Sequence, residues 1–303
     1  MEAFTVRNAN PYVALFGLPE HWAAGVPAAG KDSLAVRYEV ASSFDFGTGV
    51  NESVVLDGET ERLTLSYERG FGERWAWGVA LPWVRHSDGY LDSLIIDWHD
   101  AFGLPQNGRD RAPKNRLTYG FVGGGENILI DDTVSGPGDV QFTLARRFGS
   151  SADRATSLRV HAKLPTGDAD DLLGSGGADL ALTLQHARDL GARWRAGVHG
   201  GVSLLSRGDV FEDLSRTAVG HFGARVAFRP TQRLALKVQW DAHSQVFEAT
   251  RLKHLNEVAF VLSFGGTVRL GAYLLDVVVT ENYPHPEITP DVAFQLALRR
   301  STR

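Results

Sequence analysis

The sequence predicts an all-β fold: a closed antiparallel up-and-down transmembrane β-barrel of about fourteen strands, with twelve as the alternative. Three observations predict it. The first is a two-residue beat, in which Trp75, Trp77, Val79, Leu81 and Trp83 share one face of a segment and Ala76, Gly78, Ala80 and Pro82 the other. Successive side chains of a strand point to opposite faces, so such a segment has one apolar wall. The beat recurs where Leu158, Val160, Ala162 and Leu164 alternate with Arg159, His161 and Lys163, and where Leu234, Leu236, Val238 and Trp240 alternate with Ala235, Lys237, Gln239 and Asp241. The second observation is that tight turns alternate with longer links, as in a barrel with short turns at one rim and long loops at the other. The third is that a barrel this wide cannot hide its apolar wall inside, because side chains fill the interior of only about eight strands. Turned outward, Leu180/Leu182/Leu184, Phe222/Ala224/Val226/Phe228, Val258/Phe260/Leu262/Phe264 and Val292/Phe294/Leu296/Leu298 face acyl chains. The closed ladder then satisfies every backbone group and leaves no edge. A β-sandwich or propeller, whose apolar faces bury one another, is the competing architecture.

Taken in order, the first element is not a spanning strand. Residues 1–30 contain Pro11, Pro19 and Pro27, which remove donors, and Gly17, Gly25 and Gly30, which loosen the backbone. This stretch is either a plug inside the lumen, carried by Asn8, Asn10, Pro11, Tyr12 and Phe16, or a periplasmic tail. Residues 31–303 form the barrel, with strands read at 32–46, 52–70, 73–86, 115–122, 125–132, 138–148, 156–164, 177–189, 193–206, 215–229, 232–247, 255–266, 268–281 and 290–301. Short turns fall near Gly70–Glu73, Gly123–Gly125, Ser150–Asp153, Asp189–Ala192, Arg229–Gln232 and Gly265–Thr267. The longer links are 87–114, 133–137, 165–176, 207–214, 248–254 and 282–289. An even strand count returns both termini to the periplasmic side.

Within the longest link, Leu91, Leu94, Ile95, Trp98 and Phe102 repeat at helical spacing, with Asp92, Asp97 and Asp100 opposite and Gly103-Leu104-Pro105 as a stop. This helix is expected either to gate the lumen or to rest its apolar face on the outer leaflet. Trp75, Trp83, Trp194, Trp240 and Tyr283 are placed in the aromatic girdles at the membrane interfaces. By the alternation, the lumen-lining set is Arg37, Glu39, Arg62, Glu68, Arg159, His161, Lys163, Arg195, His199, His221, Arg225, Lys237, Asp241 and His243, joined by Asp179 and Gln239. Adjacent strands bring these acids and bases together as cross-strand pairs. They form either a ladder of internal salt bridges or a polar constriction that selects what passes.

Composition narrows the function. Mean hydropathy is −0.15, and no run approaches the ~20 apolar residues of a membrane helix. The net charge of −5 gives no basic field for nucleic acid. There are no cysteines, which excludes disulfides and thiolate metal sites. His99 with Asp97 and Asp100 does not converge on one ion, because neighbours on a helix diverge around it. No Walker loop, dinucleotide fingerprint or zincin helix occurs, so neither a cofactor nor a metal is expected. Ser203, His199, His221, Asp241 and His243 could assemble a lipid hydrolase by cross-strand geometry, yet no Gly-x-Ser-x-Gly elbow is present and Gly174-Ser175-Gly176 reads as a turn. The sequence is therefore read as that of a non-enzyme. Its opening Met1-Glu2-Ala3-Phe4 has no basic-then-apolar leader, so either the protein is cytosolic or a signal peptide has been removed and Met1 added, and an outer-membrane location supposes the second.

Asn8-Ala9-Asn10-Pro11, Gly17-Leu18-Pro19, Leu56-Asp57-Gly58-Glu59-Thr60, Ala80-Leu81-Pro82-Trp83, the segment from Tyr90 to Pro105, Gly138-Asp139-Val140, Lys163-Leu164-Pro165-Thr166-Gly167-Asp168 and Gly174-Ser175-Gly176 together carry a resemblance. The chain resembles an uncharacterised family of Gram-negative outer-membrane proteins and, more distantly, the outer-membrane proteins of phenol meta-pathway operons and the long-chain fatty-acid channel superfamily. The resemblance implies a monomeric barrel with an N-terminal segment tucked into its lumen and uptake of small, often hydrophobic compounds. It supplies no catalytic residues. The chain departs from that pattern at its end, where Phe294, Leu296 and Leu298 are followed by Arg299-Arg300-Ser301-Thr302-Arg303 instead of a closing aromatic residue. The expected function is passive passage or binding of a small solute in an outer membrane, with outer-membrane lipid as the surrounding partner. A plugged structural or lipid-handling barrel is the alternative.

Overall fold

The computed structural model describes residues 3–20, 24–103, 105–151, 153–282 and 288–301. Period-two alternation becomes strand almost everywhere after residue 31. The strands are β1 (Asp32–Gly49), β2 (Glu52–Phe71), β3 (Trp75–Ser87), β4 (Thr118–Gly123), β5 (Glu126–Ile130), β6 (Val134–Pro137), β7 (Gln141–Ser151), β8 (Arg154–Lys163), β9 (Asp179–Asp189), β10 (Trp194–Leu204), β11 (Ala218–Phe228), β12 (Leu234–His243), β13 (Ala259–Leu270), β14 (Tyr273–Glu281) and β15 (Val292–Ser301). Neighbours from β7 through β15 pair in sequence, β15 pairs with β1, β1 with β2, β2 with β3, and β3 with β7. All of these pairings are antiparallel, and they close a ring of twelve strands.

Twelve, the alternative count, replaces fourteen because β4 and β5 do not span. β2 runs past the end of β3, whose pairing stops at Glu59↔Ser87, and β4 takes the free edge at Ser53–Asp57. A hairpin of six and five residues is too short for a spanning pair, which needs about 9–11 residues per strand. Its turn at Gly124 sits against Leu214 in another loop, at the rim opposite the short turns. β6 likewise continues the line of β7 along β3, so the expected link 133–137 is a four-residue strand fragment beside the ring. The expected turn at Gly265–Thr267 is also displaced. Gly265 and Gly266 lie inside β13, paired to Val278 and Val277, and the chain turns at Gly271 (φ +63°). Gly265 has φ +153°, and a Cβ there would lie 2.0 Å from the Val277 carbonyl oxygen, so the glycine marks a close backbone approach within a strand.

The pleat sorts the wall into two faces. Outward residues such as Leu65, Leu81, Leu144, Leu184, Val226, Leu236 and Leu296 are exposed, and their inward neighbours are buried. The expected helix is α1 (Asp92–Phe102), closed by Gly103 in the left-handed conformation with its N–H donated to the His99 carbonyl. Leu104 of the expected stop lies outside the described residues.

Candidate functional site

The inward wall is the candidate site, and the alternation puts the expected residues there. Arg37 and Glu39 on β1, Arg62 and Glu68 on β2, Arg159, His161 and Lys163 on β8, His199 on β10, His221 and Arg225 on β11, and Lys237, Asp241 and His243 on β12 are all buried. Arg195, near the short-turn rim, is half-buried and donates to Asp189 at 2.8 Å. The side chains pair by sign, and several pairs skip a strand. Arg159 donates to Glu68 at 2.7 Å although β8 and β2 are separated by β7 and β3. Lys237 meets Asp276 at 3.3 Å across β13. His199 Nε2 lies 3.3 Å from Asp241 Oδ1 across β11, where Gly223 makes room: a Cβ there would fall 2.3 Å from both side chains. His161 and His221 bond Thr143 and Thr183, at 3.1 and 3.0 Å. Ser203 has no hydrogen-bond partner among the described residues, so the serine, histidine and aspartate do not form a relay.

The interior is occupied by the N-terminal segment, which rises along one side of the lumen and returns along another. Phe4 sits over the Lys237 ammonium, 4.4 Å from ring centre to nitrogen, and its N–H donates to Gln239 at 3.1 Å. Asn8 bonds His243 at 3.0 Å, nearer the loops. A 3-10 turn at Val13–Leu15 reverses the chain. Gly17 N–H then donates to Asp179 at 2.7 Å, the Gly25 carbonyl accepts from Arg159 at 3.0 Å, and Gly30 N–H donates to the Gly70 carbonyl at the short-turn rim. Between these contacts, Glu20 is buried between Arg37, which donates to it, and Arg7 at 3.5 Å. Sequence reasoning missed Arg7 and Glu20 as site residues. The available signal was that Glu20 is the single Asp, Glu, Lys or Arg between residues 8 and 30, facing a wall rich in arginine.

Of the expected plug residues, Asn8 and Asn10 are buried polar groups that shape the rising limb. Asn10 Oδ1 accepts the N–H of Tyr12 at 3.0 Å, and Pro11, Tyr12 and Phe16 lie at the reversal. Tyr12, Val13, Leu15 and Phe16 join Val54 and Leu56 of β2, Tyr119 and Phe121 of β4, and Phe211, Leu214, Phe247 and Leu255 of the loops in one apolar core. Phe211 is at its centre, with ring centroids 5.1 Å from Tyr12, 5.4 Å from Phe121 and 4.9 Å from Phe247. The loop-side mouth is therefore filled by buried apolar side chains, and the waist below it is held by ion pairs.

The expected gate residues are not over this mouth. Leu91 and Ile95 pack with Val40 and Val292, which point outward, while Leu94, Trp98 and Phe102 remain exposed. Glu59, also outward, accepts the N–H groups of Tyr90 and Leu91 and pins the start of the helix to the outer side. Leu91 and Ile95 thus find their packing partners on the outer wall, while the mouth is filled by other residues. Arg109 anchors the same loop by bonding Asp92, Asp291 and Ser42 beneath it. Burial raises the Asp291 carboxyl above its ordinary pKa, and the Arg109 guanidinium draws it back. Trp75 and Trp194 open β3 and β10 facing outward, Trp83 and Trp240 lie on the outward face four and three residues from the ends of β3 and β12, and Trp240 stacks on Phe260 at 5.3 Å. Tyr283 lies outside the described residues. Among the described residues no group of three or more histidines and carboxylates is arranged to hold a metal.

The sequence profile of the family described as "Protein of unknown function (DUF3187)" matches residues 1–301. The chain belongs to this family. No curated protein matches it. The fold of this DUF3187 member is similar to that of the COG4313 outer membrane channel from Pseudomonas putida F1, with a TM-score of 0.61 and 14% identity over 92% of this chain and 97% of that one. It is also similar to the NanC porin, with a TM-score of 0.50 and 10% identity over 89% of this chain and 99% of that one. At such identities the likeness shows a shared barrel fold.

Proposed function

We propose that this DUF3187 member is a monomeric outer-membrane barrel that passes or binds a small, hydrophobic solute without energy coupling, with its N-terminal segment as a movable stopper. The observation that carries the reading is the division of one closed ring into an apolar outward face and a charged inward wall. A membrane barrel needs that arrangement, and a water-soluble one would invert it. The fold likeness to outer-membrane channels supports it. The aromatic core at the mouth supports a hydrophobic solute, since Tyr12, Phe121, Phe211 and Phe247 offer ring surfaces when the segment withdraws. The small cavities left beside Arg7, one lined with Asn8, His221 and His243 and the other with Glu39, Arg62 and His86, leave little room while it stays.

The test is reconstitution of the full chain and of a chain lacking residues 1–30 into liposomes, with ion conductance and solute-driven swelling as readouts. The full chain is expected to be nearly silent and the truncated one open. Silence of both toward ions and hydrophobic solutes overturns the channel reading. It leaves the second reading, a sealed structural barrel, which the ion pairs from Glu20 to Arg7 and Arg37 favour.

A further inference from the structure

The outward wall is not uniform. Across β9 to β12 two adjacent cross-strand rows each carry an alanine, Ala196 in one and Ala224 in the next. One row runs Arg188, Ala196, Val226, Val238 in direct register, and the next runs His186, Val198, Ala224, Trp240. The result is a shallow groove of 460 Å³ along the outside of the barrel, bounded by Trp240, which is braced on Phe260, and ending at His186 and Arg188. That volume falls within the range of sites that accept small organic ligands, roughly 300–1,000 Å³.

The groove ends in positive charge. Arg188 stands directly opposite Arg154 of β8, and both are exposed on the outward face. Like charges directly opposite in an antiparallel pair repel. The nearby acid is Asp153 on the turn, 4.0 Å from Arg188, at the far edge of ion-pair distance. Beside them Thr156 bonds His186 Nδ1 at 2.8 Å. Arg154 opens β8 and Arg188 is the last residue but one of β9, so the pair lies at the short-turn rim, where an outward arginine is tolerated at a membrane interface. Two guanidinium groups side by side suit a phosphodiester, which arginine binds with paired hydrogen bonds.

We propose that this groove binds one glycerophospholipid of the leaflet nearest the short turns, an acyl chain lying over Ala196 and Ala224 against Trp240 and the phosphodiester seated between Arg154 and Arg188. The inference rests on the membrane reading above. It answers two features together: a depression in the belt that bulk lipid must fill, and an opposed arginine pair at the end of that depression that needs an anion. Basic pockets beside apolar membrane surface are sites where lipid headgroups settle.

The test uses the full chain in a non-ionic detergent, titrated with dioleoyl phosphatidylglycerol, with bound lipids counted by native mass spectrometry. One lipid is expected to persist after the others are stripped. The R154Q/R188Q double variant weakens its binding by about tenfold or more, the scale of losing charge-assisted hydrogen bonds. Ala224→Leu fills the groove while keeping both arginines, and it also loses the lipid. Arg300→Gln, an outward arginine at the same rim on the opposite wall, leaves binding unchanged. Equal retention by the wild type, the double variant and Ala224→Leu overturns the site. Displacement by inorganic phosphate overturns the lipid assignment, since it marks a free-anion site. Heat-shifted migration in gels checks that every variant is folded. A chain that neither takes up detergent nor enters liposomes fails the membrane reading itself, whereas one that enters them without a preferred lipid fails only this proposal.

Discussion

The same N-terminal segment is held in two different ways along its length. At the mouth, Tyr12 and Phe16 sink into a core of loop and strand residues that makes no use of charge. At the waist, Arg7 and Glu20 meet Arg37, and neighbouring lumen charges answer one another in pairs. Apolar packing is indifferent to ionic surroundings and is lost in proportion to the area exposed. Buried ion pairs are costly to desolvate and tolerate removal of one partner badly, but they re-form in a single geometry. The tip of the segment is therefore fixed by bulk and its limbs by register. On the proposed reading, the segment leaves the lumen only after these aromatic contacts break.

The largest expected effect tests the mouth. Phe211→Ala removes a fully buried ring that touches three others, and a loss of about 3–5 kcal/mol is expected for such a truncation. Urea unfolding in detergent reads the loss, and conductance of the reconstituted variant should rise above that of the parent chain. An unchanged unfolding midpoint would mean that the mouth core does not hold the segment, and the comparison would fail on its apolar side.

Next comes the waist. Glu20→Gln leaves the Arg7 and Arg37 guanidinium groups without their shared carboxylate, which costs about 3 kcal/mol at the low end for breaking a buried pair. The readout is trypsin cleavage after Arg7, a residue buried in the parent chain and accessible once the limb lets go. Cleavage at the parent rate would show that packing alone retains the segment.

These two residues also show what the sequence made legible. Phe211 sits in a loop with no period, and nothing in its neighbourhood announces that β4, a second loop and the N-terminal segment converge on it. Glu20 lies in a stretch whose prolines and glycines erase any alternation. By contrast the lumen set from Arg37 to His243 could be read directly, because a strict period of two assigns a face to each residue whatever the ring size. Ring size itself was not legible from that beat. Tyr119 and Phe121 alternate with Gly120 and Val122 as a spanning strand would, and the shortness of the hairpin was the remaining clue. The place of α1 depended on a competition the sequence does not display, between a mouth already filled by aromatic residues and an outer wall with Val40 and Val292 uncovered.

A smaller effect joins the two regions. Asp179 accepts the N–H of Gly17 at 2.7 Å and of Ser206 at 3.0 Å, and it lies 3.4 Å from Lys163, which Asp139 also neutralises. Asp179→Asn keeps one acceptor oxygen and turns the other into a donor, so one N–H loses its partner. About 2 kcal/mol is expected, the range for a hydrogen bond to a charged group. Amide exchange at Gly17 should quicken while exchange in β9 stays slow. If both quicken together, the contact supports the wall and not the stopper.

The smallest effect is expected outside the lumen. Arg85 donates to Glu61 at 2.7 Å on the outward face near the loop rim, but its side chain is 47% exposed and Glu61 keeps the Tyr38 hydroxyl at 2.7 Å. In water such a pair contributes about 0–1 kcal/mol, so Arg85→Gln should barely move the unfolding midpoint in detergent. The same substitution measured in lipid bilayers locates the boundary of the apolar belt. If Arg85 lies above the headgroups, the bilayer value matches the detergent value. If it lies below them, low dielectric strengthens the pair and its loss there grows beyond the surface range. An outward ion pair that behaved like Glu20 would erase the contrast between the charged interior and the wall around it, and with it the reason for placing this part of the rim in water.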